Sequence, residues 1–166
     1  IGIVFEDIFH VLFTNILCTS LMLIVTGGII LFASFKRSNH KTDNAITIKD
    51  ALLIGTAQGI AIIPGISRSG ATIATGIFLG IDGETAARFS FLTSIPAILG
   101  AVGMECFKIR FVPSSEILYY ILGMVMAAAV GTVAIGFLVN VLRRLRLGIF
   151  AYYCFFVGGI FGFFNL

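Results

Sequence analysis

Long runs of residues without charge restrict the folds open to this sequence. The run from 15 to 35 contains no Asp, Glu, Lys or Arg, and about 20 apolar residues are enough for a helix to cross a bilayer core. Over the whole chain 58% of residues are hydrophobic and 11% are charged, whereas soluble domains carry about a quarter of charged residues. The sequence therefore predicts an all-α, polytopic membrane protein and excludes a disordered chain or a coiled coil.

The same criterion predicts one transmembrane domain over 1–166. Its predicted membrane spans are about 15–35, 89–105, 117–142 and 149–165. The segment from about 50 to 81 differs, because two apolar runs too short to cross a bilayer flank a polar break at Pro64-Gly65. Non-helical backbone is tolerated at membrane depth only where it is buried in protein or lines a wet cavity. We therefore expect a re-entrant helical hairpin here.

Charge is concentrated in the predicted loops. The net charge is +3, too modest to suggest a nucleic-acid partner, and membrane lipids are the expected surroundings. If the hairpin enters and leaves by one side, eight basic residues share that side, in 36–49, 82–88 and 140–148, against Lys108 and Arg110 on the other. Cytoplasmic loops carry the excess of Lys and Arg, so the C-terminus is predicted to lie outside.

Arg68 lies between apolar segments rather than in a loop. An arginine at membrane depth costs about 3 to more than 10 kcal/mol, so it needs an anionic partner or a wet cavity. The nearest carboxylates in the sequence, Asp50 and Asp82, are expected at the far ends of the two hairpin arms. A bound anion is the better partner, and the planar guanidinium suits bidentate contact with phosphate oxygens.

The neighbours of Arg68 complete a predicted phosphate-binding site. Glycines let a backbone approach a ligand closely, and hydroxyl side chains donate hydrogen bonds to it. The glycines are Gly65 and Gly70, and the hydroxyl residues are Ser67, Ser69 and Thr72. A helix expected to begin near Ala71 would direct its free N–H groups and positive dipole end to the same place.

Each of these residues has a structural alternative. Pro64-Gly65 could form only a turn, Ser69 could cap a helix, and Arg68 could pair with a protein carboxylate. Their concentration in one apolar hairpin favours the anion site.

The segment 64–72, PGISRSGAT, resembles the PGxSRSxxT motif of the undecaprenyl-pyrophosphate phosphatase family of bacitracin-resistance type. Gln58 precedes it at the family's spacing, and 89–96, FSFLTSIP, is similar to the family's FSFLxSIP stretch. Segments 131–144 and 150–153 also resemble the family's C-terminal part. The similarity covers essentially the whole chain.

The resemblance implies a hydrolase of the bacterial inner membrane. Such enzymes convert undecaprenyl pyrophosphate to the monophosphate carrier lipid of cell-wall synthesis, and they contain two inverted repeats, each with a re-entrant hairpin. Mg²⁺ or Ca²⁺ is expected as cofactor. By this resemblance the catalytic residues are Arg68, Ser67 and Ser69, and the substrate-binding residues are Gly65, Gly70, Thr72 and Gln58.

The sequence departs from the family pattern in two places. It lacks the glutamate motif and the Ser/His hairpin of the family's first repeat, and it begins with Ile1 rather than Met. We therefore expect the first repeat, or a second copy of the chain, as a partner that supplies a base and metal ligands, since no metal ligands are identified here. Cys154 stands where the family usually has Arg.

A transporter or flippase-like protein is the alternative function. The same broken helix would bind an anionic lipid headgroup without cleaving a bond. Release of inorganic phosphate by detergent-solubilised protein distinguishes the two.

Overall fold

The computed structural model describes residues 15–36, 42, 45–108, 116–143 and 147–165. Within those residues the regular elements are α-helices, as predicted. They are α1 (Ile16–Phe35), α2 (Ile48–Ile60), α3 (Arg68–Phe78), α4 (Gly83–Lys108), α5 (Ile117–Arg143) and α6 (Gly148–Phe164).

Three of the described helices are long and apolar enough to cross a membrane, namely α1, α4 and α5. The fourth predicted span corresponds to α6, which is apolar and has 17 residues. At 1.5 Å per residue α6 is about 26 Å long, slightly less than a typical hydrocarbon core. The chain is a multi-pass membrane protein.

The helix α4 begins well before the predicted span at 89. Asp82 accepts hydrogen bonds from the backbone N–H groups of Glu84 and Thr85, at 3.0 and 3.4 Å. A carboxylate at this position satisfies N–H groups that the helix itself leaves free, so helical structure extends back to Gly83.

The helices α1 and α6 pack antiparallel through glycines. A Cβ on Gly158 would lie 2.9 Å from the carbonyl oxygen of Ser20, and a Cβ on Gly27 would lie 3.0 Å from the ring of Phe155. Along α1 from Ser20 to Gly27 the contacts on α6 move back from Gly158 to Phe155, so the two helices run in opposite directions. Gly27 is therefore in close contact with α6, whereas Gly28 has no neighbour within 4 Å of such a Cβ.

The helices α2 and α3 form a hairpin, joined by residues 61–67, which we name the tip. α3 also packs against α1 and α4. α1 and α3 run in the same direction, because Thr26 of α1 contacts the tip while Lys36, after the end of α1, donates a hydrogen bond to the Phe78 carbonyl at the end of α3. At Gly76 a Cβ would lie 2.8 Å from the Ala86 Cβ, so α3 lies very close to α4.

A buried apolar core lies where these helices meet. Its members on α2, α3, α4 and the α3–α4 connection include Ile54, Ile73, Ala74, Ile77, Ile81, Ala86 and Ala87.

The contact at Gly158 leads to the first prediction. Gly158→Ala should lower the free energy of unfolding by about 1–3 kcal/mol, the usual cost of overpacking, because the new methyl would meet the backbone of α1. Thermal unfolding in detergent measures the effect. Gly159→Ala is the matched control, since a Cβ there meets nothing within 4 Å. Equal melting temperatures for the two variants would contradict this packing.

Candidate phosphate-binding site

The helix α3 begins at Arg68 rather than near Ala71, and its N-cap is Ser67. The Ser67 side-chain oxygen accepts a hydrogen bond from the N–H of Gly70 at 3.1 Å. This cap satisfies one of the free N–H groups of the first turn, which lets Arg68 adopt helical conformation. The expected start near Ala71 was therefore too late, and the cap is Ser67 rather than Ser69.

Gly65 shapes the tip. Its φ is +88°, a left-handed conformation that side chains with a Cβ rarely adopt. A Cβ at Gly65 would also lie 2.2 Å from the carbonyl oxygen of Thr19 and 2.9 Å from the Met22 Cβ. The tip thus lies directly on α1, and both the conformation and the space require glycine.

Thr26 of α1 binds the tip by hydrogen bonds and was not identified from the sequence. Its hydroxyl accepts from the N–H of Ser67 at 3.1 Å and lies 3.1 Å from the Gly65 carbonyl oxygen, to which it can donate. Thr26 is 2% exposed. The sequence signal that could have identified Thr26 is weak. It is a polar residue within an uncharged span, and it lies on the same helical face as Thr19.

Arg68 is exposed. Among the residues that the structure describes, its guanidinium makes no hydrogen bond or ion pair. Asp50 belongs to a capping box with Thr47 at the start of α2, and Asp82 accepts from N–H groups at the start of α4. Both carboxylates therefore serve helix ends at the base of the hairpin, away from the tip, as expected.

We name residues 65–70 the cradle. Besides the guanidinium of Arg68, it presents the hydroxyl of Ser69 and the backbone N–H groups of Arg68 and Ser69, for which the described part of the chain provides no hydrogen-bond acceptor. The α3 dipole adds partial positive charge at the same end. Gly70 faces α1, since a Cβ there would lie 3.0 Å from Ile30 Cδ1. The cradle thus combines several donors with one full positive charge.

Thr72 lies behind the cradle and is 1% exposed. Its hydroxyl is 2.6 Å from that of Ser90 on α4, and it lies 2.9 and 3.2 Å from the carbonyl oxygens of Arg68 and Ser69. The residue therefore connects the first turn of α3 to α4.

Gln58 connects α2 to the same helix. Its amide nitrogen donates to the Thr93 carbonyl at 3.3 Å, and its amide oxygen accepts from the Thr93 hydroxyl at 3.3 Å. Ser90 and Thr93 are spaced by three residues on one face of α4, within the stretch FSFLTSIP. Their role in fastening the hairpin was missed, although this polar pair at helical spacing was visible in the sequence.

An apolar cavity of about 240 Å³ adjoins the cradle. Ser67, Ser69 and Gly70 line it on the cradle side. The other walls come from α1, α3, α5, α6 and the residue before α6, through Leu23, Ile30, Ala33, Ile73, Ala74, Leu138, Leu147, Phe150, Tyr153 and Cys154. Cys154 is buried here, so the position where the family usually has Arg faces the same cavity.

The cradle does not have the composition of a divalent-cation site. Mg²⁺ and Ca²⁺ take oxygen ligands, carboxylates above all, whereas the cradle offers a guanidinium, hydroxyls and N–H groups. Within 15–36, 42, 45–108, 116–143 and 147–165, no three His, Cys, Asp or Glu residues are grouped so that they could hold a metal ion. The described residues therefore do not fit the expected metal.

These features define a class of multi-pass membrane protein with a helical hairpin that presents a guanidinium and free N–H groups at its tip. The sequence profile of the family described as "Bacitracin resistance protein BacA" matches residues 1–160. The chain belongs to this family.

Curated relatives named undecaprenyl-diphosphatase are similar over almost the whole chain. The relative from Syntrophotalea carbinolica is 46% identical over 97% of this chain and 61% of its own length. The relative from Halothermothrix orenii is 44% identical, over 95% and 62%. One from Methanothermobacter thermautotrophicus is 41% identical, over 95% and 88%. The chain thus spans about three fifths of the length of the first two relatives.

The contact between Thr72 and Ser90 leads to the second prediction. Thr72→Val should lower the free energy of unfolding by about 1–3 kcal/mol, because it leaves the buried Ser90 hydroxyl without its partner. Thr72→Ser should restore most of the loss. Thr75→Val on the same helix is the control, since the Thr75 hydroxyl donates to the Ala71 carbonyl of its own helix. Denaturant or thermal unfolding in detergent measures all three.

The double variant Thr72→Val/Ser90→Ala gives a further check. It should be destabilised by less than the sum of the single variants, because removal of both partners leaves no unpaired hydroxyl. Additive losses would show that the two hydroxyls do not interact.

Proposed function

We propose that this chain binds the diphosphate of an isoprenyl pyrophosphate lipid as part of an undecaprenyl-diphosphatase. The observation that carries the proposal is Arg68, a guanidinium without a partner among the described residues, beside free N–H groups and an apolar cavity. The name shared by the relatives supports the same substrate and the hydrolytic reaction. No feature of the site favours transport over hydrolysis.

The roles of the cradle follow from its donors. Arg68 contacts the phosphate oxygens with its planar fork, and Ser67 and Ser69 donate hydroxyl hydrogen bonds. Gly65 and Gly70 keep the backbone compact enough for the N–H groups to approach. In phosphoryl transfer, charge spreads over the oxygens of the transferred group. Fixed positive charge and donors in a site of low polarity stabilise that charge without reorganisation.

The other two predicted substrate-binding residues, Thr72 and Gln58, contact α4. Thr72 and Gln58 fasten α3 and α2 to α4 through Ser90 and Thr93. We propose that they keep the cradle in place and do not contact the phosphates. Their loss would then weaken binding through displacement of Arg68.

The apolar cavity supports a lipid substrate rather than free pyrophosphate. Its walls are almost entirely hydrocarbon, and Ser67 and Ser69 of the cradle are among the residues that line it. An isoprenyl chain attached to the bound diphosphate would bury its first units there, and burial of apolar surface is favourable by about 25 cal/mol per Å².

The cradle supplies charge neutralisation but not a base. No His or carboxylate is hydrogen-bonded to Ser67 or Ser69 in the part of the chain that the structure describes. Activation of the attacking group therefore needs residues from elsewhere. We propose that they come from a first repeat or from a second copy of the chain. The carboxylate ligands for Mg²⁺ or Ca²⁺ would come from the same source.

The membrane orientation is part of the proposal. The eight basic residues of segments 36–49, 82–88 and 140–148 support a cytoplasmic position for that side. The protein would lie in the inner membrane with its C-terminus outside.

Substitution of Arg68 tests the proposed function. Arg68→Ala should weaken binding of an isoprenyl diphosphate about 10- to 100-fold, because charge-assisted hydrogen bonds are lost. Arg68→Lys should bind with intermediate affinity, because it keeps the charge and loses the planar fork. Binding of a fluorescent isoprenyl diphosphate to the purified protein in detergent is the measurement.

Arg88→Ala is the matched control, because Arg88 is exposed and paired with Glu84 on α4; it should bind within about twofold of wild type. Where the protein releases phosphate, Arg68→Ala should retain less than about a tenth of the rate. Retention of more than that would refute the role of Arg68.

A fourth prediction concerns the metal and the base. The purified 166-residue chain should bind isoprenyl diphosphate equally well with and without EDTA, because its cradle offers no metal ligands. It should release no inorganic phosphate above background, because the cradle holds no base. Phosphate release by the pure chain would show that residues of this chain alone suffice for hydrolysis.

A further inference from the structure

Thr26 is the point at which α1 bonds to the tip of the hairpin. Its hydroxyl has one proton to donate and two lone pairs. The oxygen lies 3.0 Å from the Met22 carbonyl oxygen, as is usual for a threonine in a helix, and 3.1 Å from the Gly65 carbonyl oxygen. It also accepts a hydrogen bond from the Ser67 N–H at 3.1 Å. One side chain therefore satisfies polar groups on both sides of Ile66.

The tip has few other means of holding its position. Its remaining backbone hydrogen bonds are local. The N–H groups of Ile62, Ile63 and Ile66 donate to carbonyl groups three residues earlier, Ala61 donates to Ala57, and the Ser67 carbonyl accepts from Ala71 within α3. Among the described residues, the side chain that hydrogen-bonds to the tip from another helix is that of Thr26 on α1. The bilayer core provides no water for unpaired backbone groups. Loss of this hydroxyl would therefore leave the Gly65 carbonyl and the Ser67 N–H without their partner, and the tip would shift until they find another.

The tip in turn sets the position of Arg68. Ser67 is both the partner of Thr26 and the N-cap of α3, and Arg68 is the first residue of that helix. A displacement of the Ser67 backbone therefore displaces the Arg68 Cα and the two free N–H groups of the cradle with it. Contacts of Gly65 with Thr19 and Met22 belong to the same face of α1 but involve only packing.

We propose that Thr26 is a positioning residue, which holds Ser67 and thereby places Arg68 and the N–H groups of the cradle against the diphosphate. This inference rests on the proposed function, because it concerns the same ligand. Thr26 itself is buried behind the tip and does not contact the lipid headgroup.

Isosteric substitution separates the hydroxyl from the shape of the side chain. Thr26→Val should weaken binding of a fluorescent isoprenyl diphosphate about 5- to 30-fold, and Thr26→Ser, which keeps the hydroxyl, should bind within about threefold of wild type. Thr132→Val on α5 is the matched control. The Thr132 hydroxyl donates to the Ala128 carbonyl of its own helix, and the expected change in affinity is less than about twofold.

A double-mutant cycle distinguishes positioning from a general loss of stability. In the Arg68→Ala background, Thr26→Val should weaken binding by less than about threefold, because the group that Thr26 positions is already absent. All binding is measured well below each variant's melting temperature. A merely structural role would lower the melting temperature and leave binding by the folded protein unchanged.

Hydrogen exchange gives a readout that needs no ligand. The Ser67 amide should exchange at least about tenfold faster in Thr26→Val than in wild type, while the Ala71 amide, bonded to the Ser67 carbonyl, should keep its rate. Unchanged exchange of the Ser67 amide would overturn the inference.

The two proposals fail in different ways. If wild type binds the diphosphate and Thr26→Val binds it equally well, the positioning role is overturned and the proposed function stands. If wild type does not bind and Arg68→Ala is indistinguishable from it, the proposed function is overturned, and the positioning role falls with it.

Discussion

The absence of water in the bilayer core is the constraint on which the arrangement of this hairpin depends. The tip is non-helical backbone between two short helices, so its polar groups need partners from the protein. The structure meets that need in three ways. Gly65 turns the chain against α1, Ser67 caps α3, and Thr26 is hydrogen-bonded to Gly65 and Ser67, on either side of Ile66. Each of these contacts fixes the position at which α3 begins. The donors of the cradle, namely the Arg68 guanidinium and the free N–H groups, lie in the first turn of that helix.

The charges of the hairpin are segregated by function. The carboxylates at its base, Asp50 and Asp82, accept hydrogen bonds from N–H groups at the starts of α2 and α4. This use keeps negative charge away from the tip, where Arg68 has no acidic partner among the described residues. A carboxylate at the tip would neutralise the guanidinium and repel a diphosphate. The placement of the acids therefore supports the proposed anion site as much as the arginine does.

Much of this architecture could be predicted from the sequence. Charge-free runs predicted the long helices, and two short apolar segments around Pro64-Gly65 predicted the hairpin, because length and hydropathy are local properties. The anion site that the motif around Arg68 predicts stays a prediction, and the structure shows the free guanidinium and N–H groups on which it depends. The start of α3 was misplaced, since Ser67 and Ser69 are both good caps by residue type and only the tertiary contact with Thr26 distinguishes them.

The partners of the hairpin could not be predicted in this way. Thr26 lies 39 residues before Gly65 in sequence, and nothing in a run of apolar residues indicates which of its threonines faces another helix. The contacts of Thr72 and Gln58 with α4 were hidden for the same reason. Residue type and the family resemblance predicted that both bind substrate, and the structure shows that their hydrogen-bond partners on α4 are Ser90 and Thr93.

The hydrogen bond from Lys36 to the Phe78 carbonyl has an electrostatic consequence for the far end of α3. A short helix has partial positive charge at its first turn and partial negative charge at its last, and each offsets the other at a distance. The exposed lysine ammonium offsets that negative end, an interaction that stabilises a helix by about 0.3–1 kcal/mol and falls off within the last turn. Lys36 thus ties the last turn of α3 to the end of α1, while the first turn of the same short helix carries the donors of the cradle.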